Sequence, residues 1–197
     1  MPAPSRSQAE RTEATRAALV AAARPLFAAR GFAGVSAEEI VAAAGVSRGA
    51  LHHHYGDKKG LFRAVFEQLE ADFMTDVVVA VDGVAAEDLV PVAVKAFLDI
   101  CARPEVRQIG LTDAPAVLGW ADWRSIEAEY GLSMVVALAA DSEPVRSGTT
   151  SADVLGQLVL SALIEAALLV ANASDPVRRR AEVEATLLRL IGDLFGG

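Results

Sequence analysis

VSAEEIVAAAGVSRGALHHHYGDKKGLF, residues 35–62, decides the fold of this 197-residue chain. Ser36 followed three positions later by Glu39 is a capping box and opens a first helix. Ile40 and Ala44 give that helix an inward face, and Gly45 permits a tight turn. Ser47 caps a second helix, Gly56 ends it, and Asp57 caps a third. Each signal is common, but their order within 28 residues is specific. Two short helices around a glycine turn form a helix-turn-helix, a unit that sets its second helix in the DNA major groove.

The outward face of the second helix carries the chemistry. Leu51 and Tyr55 stand four apart, share one face and anchor the helix to its core. Arg48, Gly49, His52 and His53 then point away. A solvated face ordinarily carries Glu and Lys. Here Arg can read guanine edges, Gly allows close approach, and imidazoles donate to or accept from bases and phosphates. Lys58 and Lys59 open the next helix, where the macrodipole disfavours cations by about 0.3–1 kcal/mol. A phosphate docked on that N-terminus reverses the conflict.

These residues resemble the TetR family of one-component transcriptional regulators. The resemblance runs from Thr15 to Phe66 through Leu19, Ala22, Ala23, Leu26, Phe27, Gly31, Phe32, Ser36, Ile40, Ala44, Gly45, Val46, Ser47, Leu51, His54, Tyr55, Lys58 and Leu61. It implies an all-α chain: an N-terminal three-helix helix-turn-helix domain followed by a C-terminal helical bundle for ligand binding and dimerisation. The expected division is a DNA-binding domain at 13–73, with its motif at 36–55, and an effector and dimerisation domain at 74–197. Carried over by position, the resemblance implies DNA contacts at Ser36, Ser47, Arg48, Gly49, Ala50, His52, His53, His54 and Lys58. The family usually has aromatic residues, often Tyr, where this chain has His52, and frequently where it has His53. Pro25 falls inside the first helix, where the family seldom has proline. It removes one backbone bond and is expected to bend that helix near residues 21–25.

Net charge is −8, which on its face argues against nucleic acid. The distribution reverses this: residues 1–62 carry eight Lys/Arg against five Asp/Glu, and residues 63–197 carry ten against twenty-one. A basic head on an acidic body localises the positive footprint. The 53% hydrophobic content excludes a disordered chain. The single cysteine, Cys101, excludes an internal disulfide and a Cys-based zinc site, and its apolar surroundings make it a buried small hydrophobe. The opening MPAPSRSQAE lacks an apolar signal-peptide core, so a cytoplasmic protein is expected, with residues 1–11 as a disordered arm bearing Arg6 and Arg11.

The body reads as helix throughout: 58–79, 86–102 ending before Pro104, short pieces at 106–110 and 115–118, 121–140, 154–173, and 176–195 closed by Gly196. Residues 141–153 are the one long polar loop. The apolar run 154–173 approaches a membrane span, but Gln157, Glu165 and Asn172 argue against one. An acid at mid-bilayer costs about 2.5–3.5 kcal/mol, so a helix buried in a bundle, and no membrane, is expected. Leu187, Leu188, Ile191, Leu194 and Phe195 form a stripe at helical spacing, which the resemblance assigns to a homodimer built as a four-helix bundle around a twofold axis.

Candidate pocket residues are Trp123, Ile126, Tyr130 and Met134 on one helix face, with Trp120, Phe97 and Phe73 from neighbouring elements. Ordinary core packing is the favoured reading of each of them. Glu165, alone in an apolar helix, would need a partner if buried, and is the sharper candidate. Asp113, before Ala114 and Pro115, reads as a helix cap. An enzyme would need groups converging in a cleft. The three histidines are consecutive and about 100° apart around a helix, so they cannot share one metal ion. No catalytic residue, metal or cofactor is expected. The reading is a dimeric regulator of double-stranded palindromic DNA, a repressor released by a small, largely apolar effector. The alternative is a regulator, or an activator, answering to a protein partner.

Overall fold

The computed structural model describes residues 8–195, with side chains to Leu194. Of the expected N-terminal arm, residues 1–7 with Arg6 lie outside the described residues. Residues 8–11 correct the expectation, because α1 (Gln8–Arg30) is already helical there. Gly196 also lies outside. Leu19, Ala23 and Phe27 recur every fourth residue and bury one face of α1. Pro25 lies within that unbroken helix, on its exposed face. The carbonyl it leaves without a partner belongs to Ala21, which is also exposed and open to water.

The head closes with α2 (Ala37–Ala44), α3 (Arg48–Tyr55) and the start of α4 (Lys58–Val81). Every cap read from the sequence of the head is in place. The Ser36 Oγ accepts from the Glu39 N–H at 3.2 Å, and the Ser36 N–H donates to Glu39 Oε2 at 2.8 Å. Ser47 Oγ accepts from Ala50 N–H at 3.2 Å, and Asp57 Oδ1 from Gly60 N–H at 2.7 Å. Gly45 turns the chain with φ 66°. Gly60 admits no side chain: a Cβ there would lie 2.0 Å from the Tyr55 carbonyl oxygen. Phe27, Phe32 and Phe62 pack ring against ring at 5.2–5.8 Å between centroids, inside a core with Val35, Ile40, Leu51 and Leu61.

α4 leads the chain from the head into the body, about 36 Å at 1.5 Å per residue. There follow α5 (Leu89–Cys101), α6 (Pro104–Val106), a π-helical turn (Arg107–Asp113), α7 (Ala114–Leu118), α8 (Trp120–Ala140), α9 (Glu143–Arg146), α10 (Ala152–Ala171) and α11 (Pro176–Phe195). The single helical turn α9 breaks up the expected 141–153 loop. Ser142 is buried before it and donates to the Ala139 carbonyl at 2.7 Å. Ser151 caps α10, and Asp175 accepts from the Arg178 N–H at 3.1 Å at the start of α11.

α10 is long and apolar enough to cross a membrane. It packs instead across α8, where the backbones approach so closely that a Cβ on Gly156 would meet Val136 Cγ2 at 2.6 Å. Leu187 and Ile191 correct the expected dimer stripe. They are buried within the chain, against Val94, Leu98 and Val159. The apolar residues left exposed on this pair are Val154, Leu158 (64%), Leu169 (47%), Val177 and Leu190.

Candidate nucleic-acid interface and ligand cavity

The head presents one polar face. Ser36, Ser47, Arg48, Gly49, His52 and His53 are exposed on it, with Ala50 and His54 partly covered. Tyr55 pins α3 to α1 through its hydroxyl, which donates to the Arg16 carbonyl at 3.2 Å. His52 Nδ1 lies 2.5 Å from the Gly56 carbonyl oxygen, an acceptor, so Nδ1 is the donor of that bond. The His53 and His54 rings meet edge to face at 4.9 Å. Arg48 is ion-paired to Glu38 across the α2–α3 corner, with both side chains largely exposed. Lys58 is less free than its sequence position suggests. Its ammonium donates to the Phe32 and Val35 carbonyls at 2.9 and 2.8 Å and sits 4.0 Å over the Phe32 ring. One N–H is left for any other contact, while Lys59 beside it is exposed.

In the body, α4, α5, α8 and α10 enclose a cavity of about 120 Å³. One water needs about 10–15 Å³ of such space, so the cavity has room for about ten atoms of ligand. Of the residues named from the sequence, Phe73, Phe97 and Met134 line it, together with Met74, Leu111, Val159 and Ile164. The remaining pocket candidates are corrected. Trp120 is exposed at the start of α8 and rests edge to face on Trp123. Trp123 is fully buried in the core with its indole N–H unpaired, and Tyr130 packs on that core outside the lining. Glu165 is exposed on the opposite face of α10. A helix that is apolar nearly all round does not reveal which side faces inward.

The polar groups of the cavity are two carboxylates the sequence reading missed, Glu70 from α4 and Glu127 from α8. Burial raises Glu70 to about 7. Burial first, and the charge of Glu70 second, raise Glu127 to about 8, against the opposing pull of Arg124, whose Nη1 lies 3.2 Å from Glu127 Oε2. Among the described residues, Glu70 accepts no hydrogen bond and forms no ion pair. Cys101 is buried in the same wall, and burial pushes its thiol up. Spacing held the signal: Glu70 falls four after Phe66 and three before Phe73, and Glu127 four after Trp123 and three before Tyr130, each on an apolar face.

The cavity wall reaches the head. Gly110 and Leu111 of the π-helical turn line the cavity, and Ala114 N–H reaches back five residues to the Ile109 carbonyl. Asp113, at the end of that turn, does not cap α7. Its Oδ2 accepts from the Phe32 N–H of the head at 2.7 Å and from Gln108 Nε2 at 3.2 Å. Arg24 of α1 adds a second bridge, to Glu105 at 2.7 and 3.0 Å and to Asp72.

Residues 19–65 match the family model of bacterial regulatory proteins, tetR family, and residues 89–194 match the tetracyclin repressor-like C-terminal domain. The chain belongs to the TetR family. A TetR-family transcriptional regulator from Pectobacterium atrosepticum, solved as a crystal structure, is 33% identical, covers 98% of this chain and 99% of its own, and superposes with a TM-score of 0.81. The HTH-type transcriptional regulator CymR of Pseudomonas putida is 45% identical over 64 residues, 32% of either chain. The structure of RolR in complex with resorcinol shares the fold, with a TM-score of 0.61, 22% identity and coverage of 93% and 90%. This TetR-family member is therefore a DNA-binding transcriptional regulator and not an enzyme. Its all-α architecture, an N-terminal helix-turn-helix with a C-terminal helical domain, is that of its relatives.

Proposed function

We propose that this regulator is a homodimeric repressor, released from a palindromic operator when a small, largely apolar effector fills the cavity. One observation carries the reading: the π-helical turn whose Gly110 and Leu111 line the cavity ends in Asp113, which bonds the backbone of the head at Phe32. Occupancy that moves this turn moves the head. An effector must favour the conformer that does not bind DNA, since equal affinity shifts nothing.

The DNA contacts are proposed at Ser36, Ser47, Arg48, Gly49, Ala50, His52, His53, His54 and Lys58, with Arg48 reading a base edge and the Lys58 ammonium offering its one remaining N–H to phosphate. We assign residues 13–73 to the DNA-binding domain and 74–197 to effector binding and dimerisation. The exposed apolar residues of α10 and α11 are the proposed twofold interface. The test is a footprint on the DNA beside the protein's own gene, with affinity followed as salt is raised. A protected palindrome with two half-sites about one DNA turn apart, roughly 34–36 Å, supports the reading. Equal binding to that DNA and to random duplex contradicts it.

A further inference from the structure

Glu70 is a carboxylate without a partner in a wall of hydrocarbon, thioether and thiol groups. Leaving such a group ionised and unpaired is costly, so it either holds a proton or meets a cation. The titratable groups that feel its charge are Glu127 and Tyr130 from α8 and Cys101 from α5, and the guanidinium groups beside those are Arg124, next to Glu127, and Arg180, which acts on Cys101. Neither arginine is available. Arg124 is held by Glu127 and by Ser161 at 3.0 Å, and Arg180 by Asp99 at 2.6 Å and Glu184 at 3.3 Å. When both carboxyls are ionised, Arg124 answers Glu127 and no cation answers Glu70.

We propose that the cavity binds a lipophilic monocation, an arylalkylamine whose ammonium pairs with Glu70 and whose ring lies among the apolar residues. The inference rests on the effector reading above and names the chemistry of that effector. A hydrated inorganic cation does not fit, since hard cations need several oxygen ligands and the lining offers two carboxylates. Phe73 and Phe97, edge to face at 5.5 Å, offer π faces to a cation, and Met74 and Met134 adapt to the shape of its hydrocarbon part. Without ligand, the carboxyl pair holds protons near neutrality. An ammonium displaces them, so binding releases protons and tightens as pH rises from 6 to 8.

The test is calorimetry on the full-length protein with 2-phenylethylamine and with 2-phenylethanol, its neutral counterpart, in buffers of different ionisation heat. At pH 8 the amine should bind about ten to a hundred times more tightly than the alcohol. The gap should narrow toward pH 6, and proton release should accompany the amine alone. Glu70→Gln should close the gap and spare the alcohol, while Glu70→Asp should keep part of it. Equal affinity for the two probes, or an amine preference that survives Glu70→Gln, overturns the proposal. If Glu70→Gln fails to fold, Glu70→Asp and the proton count decide in its place. Operator affinity measured alongside separates the two readings. An amine bound through Glu70 that leaves the operator occupied upholds the cavity chemistry and sinks the effector role. Release of operator by the alcohol, with no preference for the amine, does the reverse.

Discussion

Glu70 and Glu127 ionise near 4.5 in an unfolded chain, but in the folded protein they hold their protons to about 7 and about 8. Between those limits the native state binds more protons than the unfolded one. The stability these two groups contribute without ligand is therefore full below pH 4.5 and falls as pH rises toward 8. Glu39, held down at about 2 by the Ser36 N–H and Arg30, works in the opposite sense, but only below 4.5. Denaturant unfolding should show a loss of about 1–3 kcal/mol between pH 5.5 and 8, and Glu70→Gln with Glu127→Gln should flatten it. The same slope in parent and double variant would rule these carboxylates out as its source. At the DNA face, Arg48 must exchange Glu38 for a base edge. Arg48→Ala should cost about 1–3 kcal/mol on operator and little on random duplex. Glu38→Gln should tighten both, because it removes a competitor and a repelling charge. Fluorescence anisotropy on the two duplexes measures this, and equal losses on both for Arg48→Ala would end its base-reading role.

Among the elements, the π-helical turn matters most, because it touches both the cavity and the head. Removing the acceptor by Asp113→Ala deletes a charge-assisted bond, with an expected cost of about 1.5–3 kcal/mol. Amide exchange at Phe32 should speed up while that of the α8–α10 pair stays slow; unchanged protection at Phe32 would show that the bond carries no load. This element was not legible in the sequence. A π turn has no composition of its own, and Asp113 before Ala114 and Pro115 looks like any cap. The head was legible almost residue by residue, since capping and turn signals act over three or four positions and are met locally. The body hid two facts for one reason. α10 is apolar on the side facing α8 and on the side facing out, so Glu165 gave no sign of lying outside. In α4 the acids Glu67, Glu70 and Asp72 alternate with apolar residues, so the sequence does not say which of them turns inward. Lys58 was legible as to place and not as to contact, because the carbonyls it binds belong to a corner 23 and 26 residues upstream.

At the scale of the molecule, the split between inner and outer apolar residues on α10 and α11 separates folding from assembly. Leu158→Glu with Leu169→Glu should leave helicity intact and yield a monomer that no longer binds a palindrome. Leu187→Asp should instead unfold the body, because that side chain is buried within the chain. Sedimentation velocity and circular dichroism distinguish the outcomes, and a folded dimer from the surface pair would place the interface elsewhere. The bridges between head and body, Asp113 to Phe32 and Arg24 to Glu105, bear on modularity. A biosensor engineer who grafts this head onto a foreign sensing body at the natural-looking seam in α4 leaves residues 104–113 behind, and with them the side chains that grip α1 and the corner after it. Such a chimera would bind its operator and ignore its signal. The transferable unit is discontinuous: a head together with a short stretch of the body lying some fifty residues beyond the Asp57 cap, which must travel with it or be matched by its replacement.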